Sequence, residues 1–144
     1  MTAPVVRAWQ GWAPRLLSIL RIVVAFLYMA HGTQKLFAFP TGVGPQGTGT
    51  VDLATRYGAA GVIEVTCGAL LLIGLFSQLA AFIASGEMAA AYFLAHAPHG
   101  FWPIMNRGEI VVAFCFVWLY ISAAGPGPWS VDALRVAGRR SQVA

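Results

Sequence analysis

Residues 16–39 read LLSILRIVVAFLYMAHGTQKLFAF, an apolar run in which Arg21, His31 and Lys35 are the ionisable interruptions that matter. At about 1.5 Å per residue, a helix needs about 17–25 residues to cross the roughly 30 Å hydrocarbon layer of a bilayer, and this run reaches that length. Three further runs follow, Ala59 to Phe76, Leu79 to Ala97 and Gly108 to Ala124. They take up most of the 144 residues and leave no room between them for a soluble catalytic module. Composition agrees: 58% hydrophobic and 10% charged residues, with a mean hydropathy of +0.71, lie outside the range of soluble domains. The expected fold is therefore all-α, an integral membrane four-helix bundle. Its expected parts are an interfacial N-terminal segment (1–15), the four spans (16–124), and a tail with a short amphipathic helix (125–144).

A net charge of +4 does not indicate nucleic acid here, because the basic residues are few and sit at the ends of the apolar runs. Arg7, Arg15 and Arg21 lie at the start, Arg135, Arg139 and Arg140 at the end, and Lys35, Arg56 and Arg107 border the first and third loops. The positive-inside bias then places both termini in the cytoplasm, in keeping with an even number of spans. The first run is too long for a signal-peptide core and no small-residue cleavage site follows it, so it is read as a retained helix. Trp9 and Trp12 between Arg7 and Arg15 suit the head-group region. The glycine-rich loop from Pro40 to Tyr57 reads as external and flexible, and the 97–107 loop, stiffened by Pro98 and Pro103, as ordered. A turn at Ser77 and Gln78 makes the second and third helices antiparallel neighbours. Gly125-Pro126-Gly127-Pro128 stops the fourth, after which Ser130 can cap a final helix with Asp132 near its positive end. Arg135 and Arg139 of that helix suit an anionic lipid surface. Small residues, Gly61 and Gly68 in the second run and Ala81, Ser85 and Ala89 in the third, allow close helix approach in lipid.

Three of the five acidic residues, Glu64, Glu87 and Glu109, fall within or at the mouth of apolar runs. A charge at mid-bilayer costs between about 2.5 and over 10 kcal/mol, so charges on neighbouring helices are expected to meet one another. Alternating crossings bring His31, Lys35, Glu64 and Glu109 to one level in the outer half, with Asn106, Arg107 and one of His96 or His99 at the rim. A second pair, Arg21 with Glu87, is expected nearer the cytoplasmic side. In the outer cluster Lys35 and Arg107 would supply positive charge, Glu64 and Glu109 would fix Lys35 and accept protons, and His31 would relay them. A helix clamp without chemistry competes with this reading, as does an Arg21 that snorkels to the head groups. His31, His96 and His99 match no metal-ligand spacing, so no metal is expected. Cys67 and Cys115 lie at similar depth without a Cys-x-x-Cys motif and read as inert. Tyr28, Met29, Met88, Tyr92 and Phe93 beside the charges suit a flat apolar ligand such as a quinone. No phosphate-cradling loop, nucleophile elbow or haem-attachment motif is visible, so no resident cofactor can be read.

An ordered series of strings is more specific than any of these. It runs His31-Gly32-Thr33-Gln34-Lys35-Leu36-Phe37, Glu64 with Gly68 and Gly74-Leu75-Phe76, Met88-Ala89-Ala90-Ala91-Tyr92-Phe93, Asn106-Arg107-Gly108-Glu109, and Gly125-Pro126-Gly127 with Ser130 and Asp132. With Arg21, from about residue 21 to 132, this resembles the DoxX family of small four-helix bacterial membrane proteins. The resemblance implies a multi-pass protein of the bacterial inner membrane. It also carries over Arg21, His31, Lys35, Glu64, Asn106 and Glu109 as family-type polar positions, while Glu87 departs from the pattern. The family is named for a subunit associated with thiosulfate:quinone oxidoreduction, and other members are linked to thiol redox and oxidative stress. The resulting expectation is a redox-associated membrane subunit whose outer polar site holds a quinone head group, a small sulfur anion or a partner enzyme. Any enzymatic role would be of the thiosulfate:quinone oxidoreductase type, with electrons supplied from outside the chain. Two other classes compete: a transporter of protons or a small solute, which needs polar groups at all depths, and a membrane scaffold that recruits a redox partner.

Overall fold

Thr55 opens the second apolar run as a helix by accepting the Gly58 N–H on its hydroxyl at 3.2 Å, which satisfies one of the orphan first-turn donors. Gly74, left-handed at φ 74°, closes that helix and returns its own N–H to the last-turn carbonyls. The computed structural model describes residues 3–141, and among these every regular element is helical. In chain order they are α1 (Ala3–Phe37), α2 (Arg56–Ile73), α3 (Ser77–Ala91), a π-helical turn (Tyr92–His96) running into a 3-10 turn (Ala97–His99), α4 (Pro103–Asn106), α5 (Glu109–Ala124) and α6 (Val131–Ser141). Three helical stretches are long and apolar enough to cross a membrane: Trp9–Phe37, Arg56–Ile73 and Ser77–His99. Helix α5 is equally apolar but shorter, at 16 residues.

Packing follows the small residues. Helices α1 and α2 share the most extensive interface, α3 packs on α5 and on α2, and α1 barely touches α5. Ala80, Ala81 and Ala84 of α3 are almost fully buried against a core that includes Phe114, Trp118 and Ile121 of α5. Alanines give α3 a flat face on which the α5 aromatics can lie without unfilled space. Most large apolar side chains, among them Phe26, Phe82, Phe93 and Phe116, instead point outward. An outside more apolar than the inside is what lipid as a solvent requires.

Several local expectations change. Residues 3–15 are not a separate element, since α1 runs continuously from Ala3 through Pro14 to Phe37. Trp9, Trp12 and Arg15 on it are exposed, with the Arg15 guanidinium 5.3 Å from the Trp12 ring centre. The charges read at Arg7 and Arg140 lie outside the described side chains. The turn between α2 and α3 is Gly74–Phe76; Ser77 and Gln78 already belong to α3. The glycine-rich loop is tied down as well. Gly42 N–H donates to Gly47 O at 2.7 Å, Gly44 N–H to Thr48 O at 3.1 Å, and Val51 N–H to Lys35 O at 2.9 Å. Glycines that offer no side-chain packing still let two backbone stretches approach closely enough to bond.

Candidate functional site

Near the molecular end that carries the 38–55 and 97–108 loops, helices α1, α2, α3 and α5 surround a cavity of about 350 Å³. Its ionisable walls are His31 and Lys35 from α1, Arg56 and Glu64 from α2, Glu87 from α3 and His96 from the π-helical turn. Met88, Leu94, Ile110, Val111 and Phe114 provide much of the apolar remainder.

One ion pair dominates it. Glu64 is only 2% exposed, and Lys35 Nζ stands 2.5 Å from its Oε1 and 2.6 Å from its Oε2, so one ammonium serves both carboxylate oxygens. The backbones are built for this approach. A Cβ on Gly61 would meet Leu36 Cδ2 at 2.9 Å, one on Gly32 would meet Glu64 Cβ at 2.8 Å, and one on Gly68 would meet Met29 Cβ at 2.8 Å. Glycine at these three places lets α1 and α2 close to a spacing at which the lysine reaches the glutamate.

Glu87 shares this cavity and does not lie a level below it. Tyr28, 0% exposed, donates its hydroxyl to Glu87 Oε2 at 3.1 Å. The Tyr28 ring stands edge-on to Phe114 at 6.0 Å and to Trp118 at 5.6 Å, which fixes the direction of the hydroxyl. At about 1.5 Å per residue Glu87 is roughly 15 Å along α3 from Ser77, near mid-membrane and level with Tyr28 rather than with Arg21. Below Tyr28 the interior is closed by Ala25, Leu71, Trp118 and Ile121, all 0% exposed.

The expected Arg21–Glu87 pair therefore does not form, and Arg21 does not snorkel either. Arg21 is 0% exposed at the opposite end of the molecule. Its Nε donates to Pro126 O at 2.9 Å, Nη1 to Leu72 O at 2.9 Å and to Leu71 O, and Nη2 to Trp129 O at 2.5 Å. The Leu71 and Leu72 carbonyls end α2, where the helix dipole is negative, so backbone oxygens take the place assigned to a carboxylate. A planar guanidinium with five donors can satisfy four carbonyls in this way; an ammonium cannot.

Asp132 completes that end. Phe76, at φ 50°, gives α3 no side-chain cap of its own. Asp132 provides one from α6, its carboxylate accepting Phe76 N–H at 3.0 Å, Ser77 N–H at 2.9 Å and Ser77 Oγ–H at 2.9 Å. Partial burial opposes its ionisation, but the bonds from Ser77 and Phe76, helped by nearby Arg135, outweigh that and hold its carboxyl below the usual carboxylate range. Ser130 caps α6 as expected, accepting Ala133 N–H at 3.1 Å.

Of the remaining residues picked out by depth, His31 lines the cavity from an exposed position, edge-on to Phe114 at 6.0 Å. Glu109 and Arg107 are exposed and line no part of it. Glu109 begins α5, where the dipole favours an acidic residue facing water, and Arg107 holds a left-handed cap at φ 60° after α4. Asn106 is buried but organises the loop. Its Nδ2 donates to Gly100 O at 2.8 Å, its Oδ1 accepts Gly108 N–H at 2.9 Å, and its carbonyl lies 3.0 Å from His96 Nδ1. A carbonyl only accepts, so Nδ1 carries a proton, leaving Nε2 of a neutral His96 with a lone pair. Cys67 and Cys115 are both free, and Ser85 Oγ donates to Cys115 O at 2.9 Å. Among the described residues no three of His, Cys, Asp and Glu are grouped so as to hold a metal ion. Sequence reading set Tyr28 beside a flat ligand, Arg56 at a loop border and Asp132 near the positive end of the last helix; it missed the Tyr28–Glu87 bond, the place of Arg56 on the cavity wall and the Asp132 contacts to α3. Of these, only the Tyr28 bond carried a signal, Tyr28 standing one turn before His31 on the polar face of α1.

The model of the DoxX family matches residues 16–97. An uncharacterized protein of Haemophilus influenzae is 42% identical over 126 residues, covering 85% of this chain and 92% of that protein. An uncharacterized membrane protein of Mycobacterium tuberculosis is 27% identical over 126 residues, covering 78% of this chain and 77% of its own. No solved structure matches. With most of its helical core inside the family model and a full-length relative well above chance identity, the chain belongs to the DoxX family and is a multi-pass membrane protein.

Proposed function

We propose that the cavity is a binding site for a quinone-type head group and that the protein is a redox-associated subunit of the bacterial inner membrane. The observation that carries this reading is a cavity of about 350 Å³ with an ion pair, a tyrosine-bonded carboxyl, two imidazoles and Arg56 over Tyr57 set among apolar walls. That volume lies within the range of about 300–1,000 Å³ of small-molecule sites, where a few polar groups orient a ligand among apolar ones. A bound quinone supplies two-electron, two-proton chemistry. Lys35, with one N–H beyond the two given to Glu64, would offer a hydrogen bond to a ring oxygen, Tyr28 would hold Glu87 in place, and Glu87, Glu64 and the imidazoles would hold protons nearby. The electrons come from a partner, since no cofactor motif is present in the chain.

Access supports a lipid-borne ligand. A second recess of about 260 Å³ lies between α1 and α5, and His31, Ile110 and Phe114 line both it and the cavity. The α1 and α5 backbones approach each other at few points, and the seam between them is filled by side chains, Phe114 standing 6.0 Å from His31 and from Tyr28, so a shift of these rings would open a way in from the bilayer. Charge supports a neutral ligand over a sulfur anion because two carboxyls, Glu64 and Glu87, share the wall; Lys35 is committed to Glu64, Arg107 lies outside, and the exposed Arg56, over Tyr57 at 5.0 Å, is the remaining wall arginine. A transporter reading fares worse because the apolar floor under Tyr28 interrupts any polar route toward Arg21. The bundle is read as four spans with both termini cytoplasmic, supported by the placement of Arg15, Arg135 and Arg139.

The test is a titration of the detergent-purified protein with a short-tail benzoquinone, with and without thiosulfate, followed by tryptophan fluorescence. Saturable binding is expected, weakened at least tenfold in Lys35→Met and in Glu64→Gln with helicity retained. Absence of binding to the wild type, together with solute flux in proteoliposomes that these substitutions abolish, would replace the redox reading with transport.

A further inference from the structure

The cavity wall carries two carboxyl groups, Lys35 committed to one of them and an exposed Arg56 held over Tyr57, and the two carboxyls are not equivalent. Glu64 receives both of its short contacts from Lys35. Glu87 has a single partner, the Tyr28 hydroxyl at 3.1 Å, a neutral donor. We infer that Glu87 is the exchangeable proton-binding site of this cavity, with Tyr28 as the positioning residue that holds its carboxyl toward the ligand. The inference rests on the quinone reading for its purpose but not for its chemistry.

The surroundings of Glu87 support the assignment from each side. Tyr28, His31 and Lys35 of α1, Arg56, Tyr57 and Glu64 of α2 and His96 of the π-helical turn line the same cavity as Glu87, with Cys67 of α2 close by, while α5 presents apolar Val111 and Phe114. Lys35 is the cation nearest the two carboxyls, and its charge is spent on Glu64. A second carboxylate in the same low-dielectric space would be uncompensated and repelled by the first, a state that a bound proton relieves. On donating its proton to a ligand oxygen, Glu87 becomes a carboxylate that keeps the Tyr28 O–H bond. A proton returned through the imidazole of His31, exposed at the cavity wall, would restore it.

Infrared difference spectroscopy of the full-length protein in nanodiscs, titrated with acid and base in the absence of any quinone, reads this directly. A protonated-carboxyl C=O band is expected near neutral pH, absent in Glu87→Gln, retained when Glu64→Gln is combined with Lys35→Met so that no cation is set free, and shifted in frequency in Tyr28→Phe. If Glu87→Gln fails to fold by circular dichroism, Glu87→Asp replaces it and must move the band. A band that survives Glu87→Gln, is lost in the Lys35→Met and Glu64→Gln double variant, or ignores both Glu87→Asp and Tyr28→Phe overturns the assignment, as does a wild type with no such band. Quinone titration of the same samples separates the two claims. A Glu87-dependent band without quinone binding leaves the proton site standing and removes the ligand; quinone binding without the band does the reverse.

Discussion

At the scale of single residues the buried Arg21 and the half-buried Lys35 solve the same problem differently, and their substitutions should behave differently. Removing Lys35 strands Glu64 at 2% exposure, and breaking a buried pair from one side costs about 3–5 kcal/mol. Lys35→Met should therefore destabilise the protein more than Lys35→Met combined with Glu64→Gln, where nothing charged is left unpaired; unfolding in a sodium dodecyl sulfate titration followed by circular dichroism measures the difference. Arg21 has only backbone oxygens for partners. Arg21→Lys, which cannot span four carbonyls, should cost about 1–3 kcal/mol for each oxygen left bare, and Glu87→Gln should not relieve that loss. Relief would restore the Arg21–Glu87 pair. Sequence reading found both cations and paired one correctly with Glu64. It erred at Arg21 because it counted only side-chain anions as partners, whereas the negative end of α2 and the Pro126 and Trp129 carbonyls were invisible as charge. Glu109 misled for a related reason, since depth alone does not say which way the first residue of a helix points.

At the scale of elements, two contacts set the arrangement: the glycine seam between α1 and α2, and the Asp132 clasp from α6 onto α3. A Cβ on Gly32 would meet Val65 N as well as Glu64 Cβ at 2.8 Å, and backbone cannot swing aside as a flexible side chain can. Gly32→Val should push the helices apart, lengthen Lys35–Glu64 and cost about 1–3 kcal/mol as overpacking does, whereas Gly86→Ala, which meets nothing, should be neutral; cysteine cross-linking across the seam reads the spacing. The clasp carries the pH dependence. Because the folded Asp132 carboxyl titrates below its unfolded value, its contribution is complete above about pH 4, the ordinary aspartate range, and is lost as pH falls through the lower folded value. Protection of the Phe76 and Ser77 amides, measured relative to their intrinsic exchange at each pH, should therefore fall only on acidification, and Asp132→Asn should show the lower protection already at neutral pH, with a loss of about 1 kcal/mol typical of a helix cap. The small residues and the Ser130 cap were readable in the sequence. The clasp was not, because its two halves lie more than fifty positions apart and only the fold brings them together.

At the scale of the whole molecule, the apolar runs announced the helices and their order, but not which faces adjoin. Helix α5 is apolar all round, so hydropathy has no preferred side to reveal, and the α3–α5 contact depends instead on alanines meeting aromatics. The consequence for function is a molecule with two polar ends separated by a dry waist at Ala25, Leu71, Trp118 and Ile121. Arg21 and Lys35 stand about 21 Å apart along α1 at ~1.5 Å per residue, well beyond the roughly 7–10 Å within which substitutions interact. Arg21→Lys and Lys35→Met should therefore add in stability to within about 0.5 kcal/mol. The ligand should see only one of them. A quinone at one hundred times its dissociation constant stabilises the folded state by about 2.7 kcal/mol through mass action, so it should raise the unfolding midpoint of the wild type and, by a similar increment, of the already weakened Arg21→Lys. In Lys35→Met, with binding at least tenfold weaker, that increment should fall to about 1.4 kcal/mol or less at the same quinone concentration. If Arg21→Lys lowered it as far, the waist would have to transmit a rearrangement from one end to the other, and the cavity could no longer be treated as a site closed at its floor.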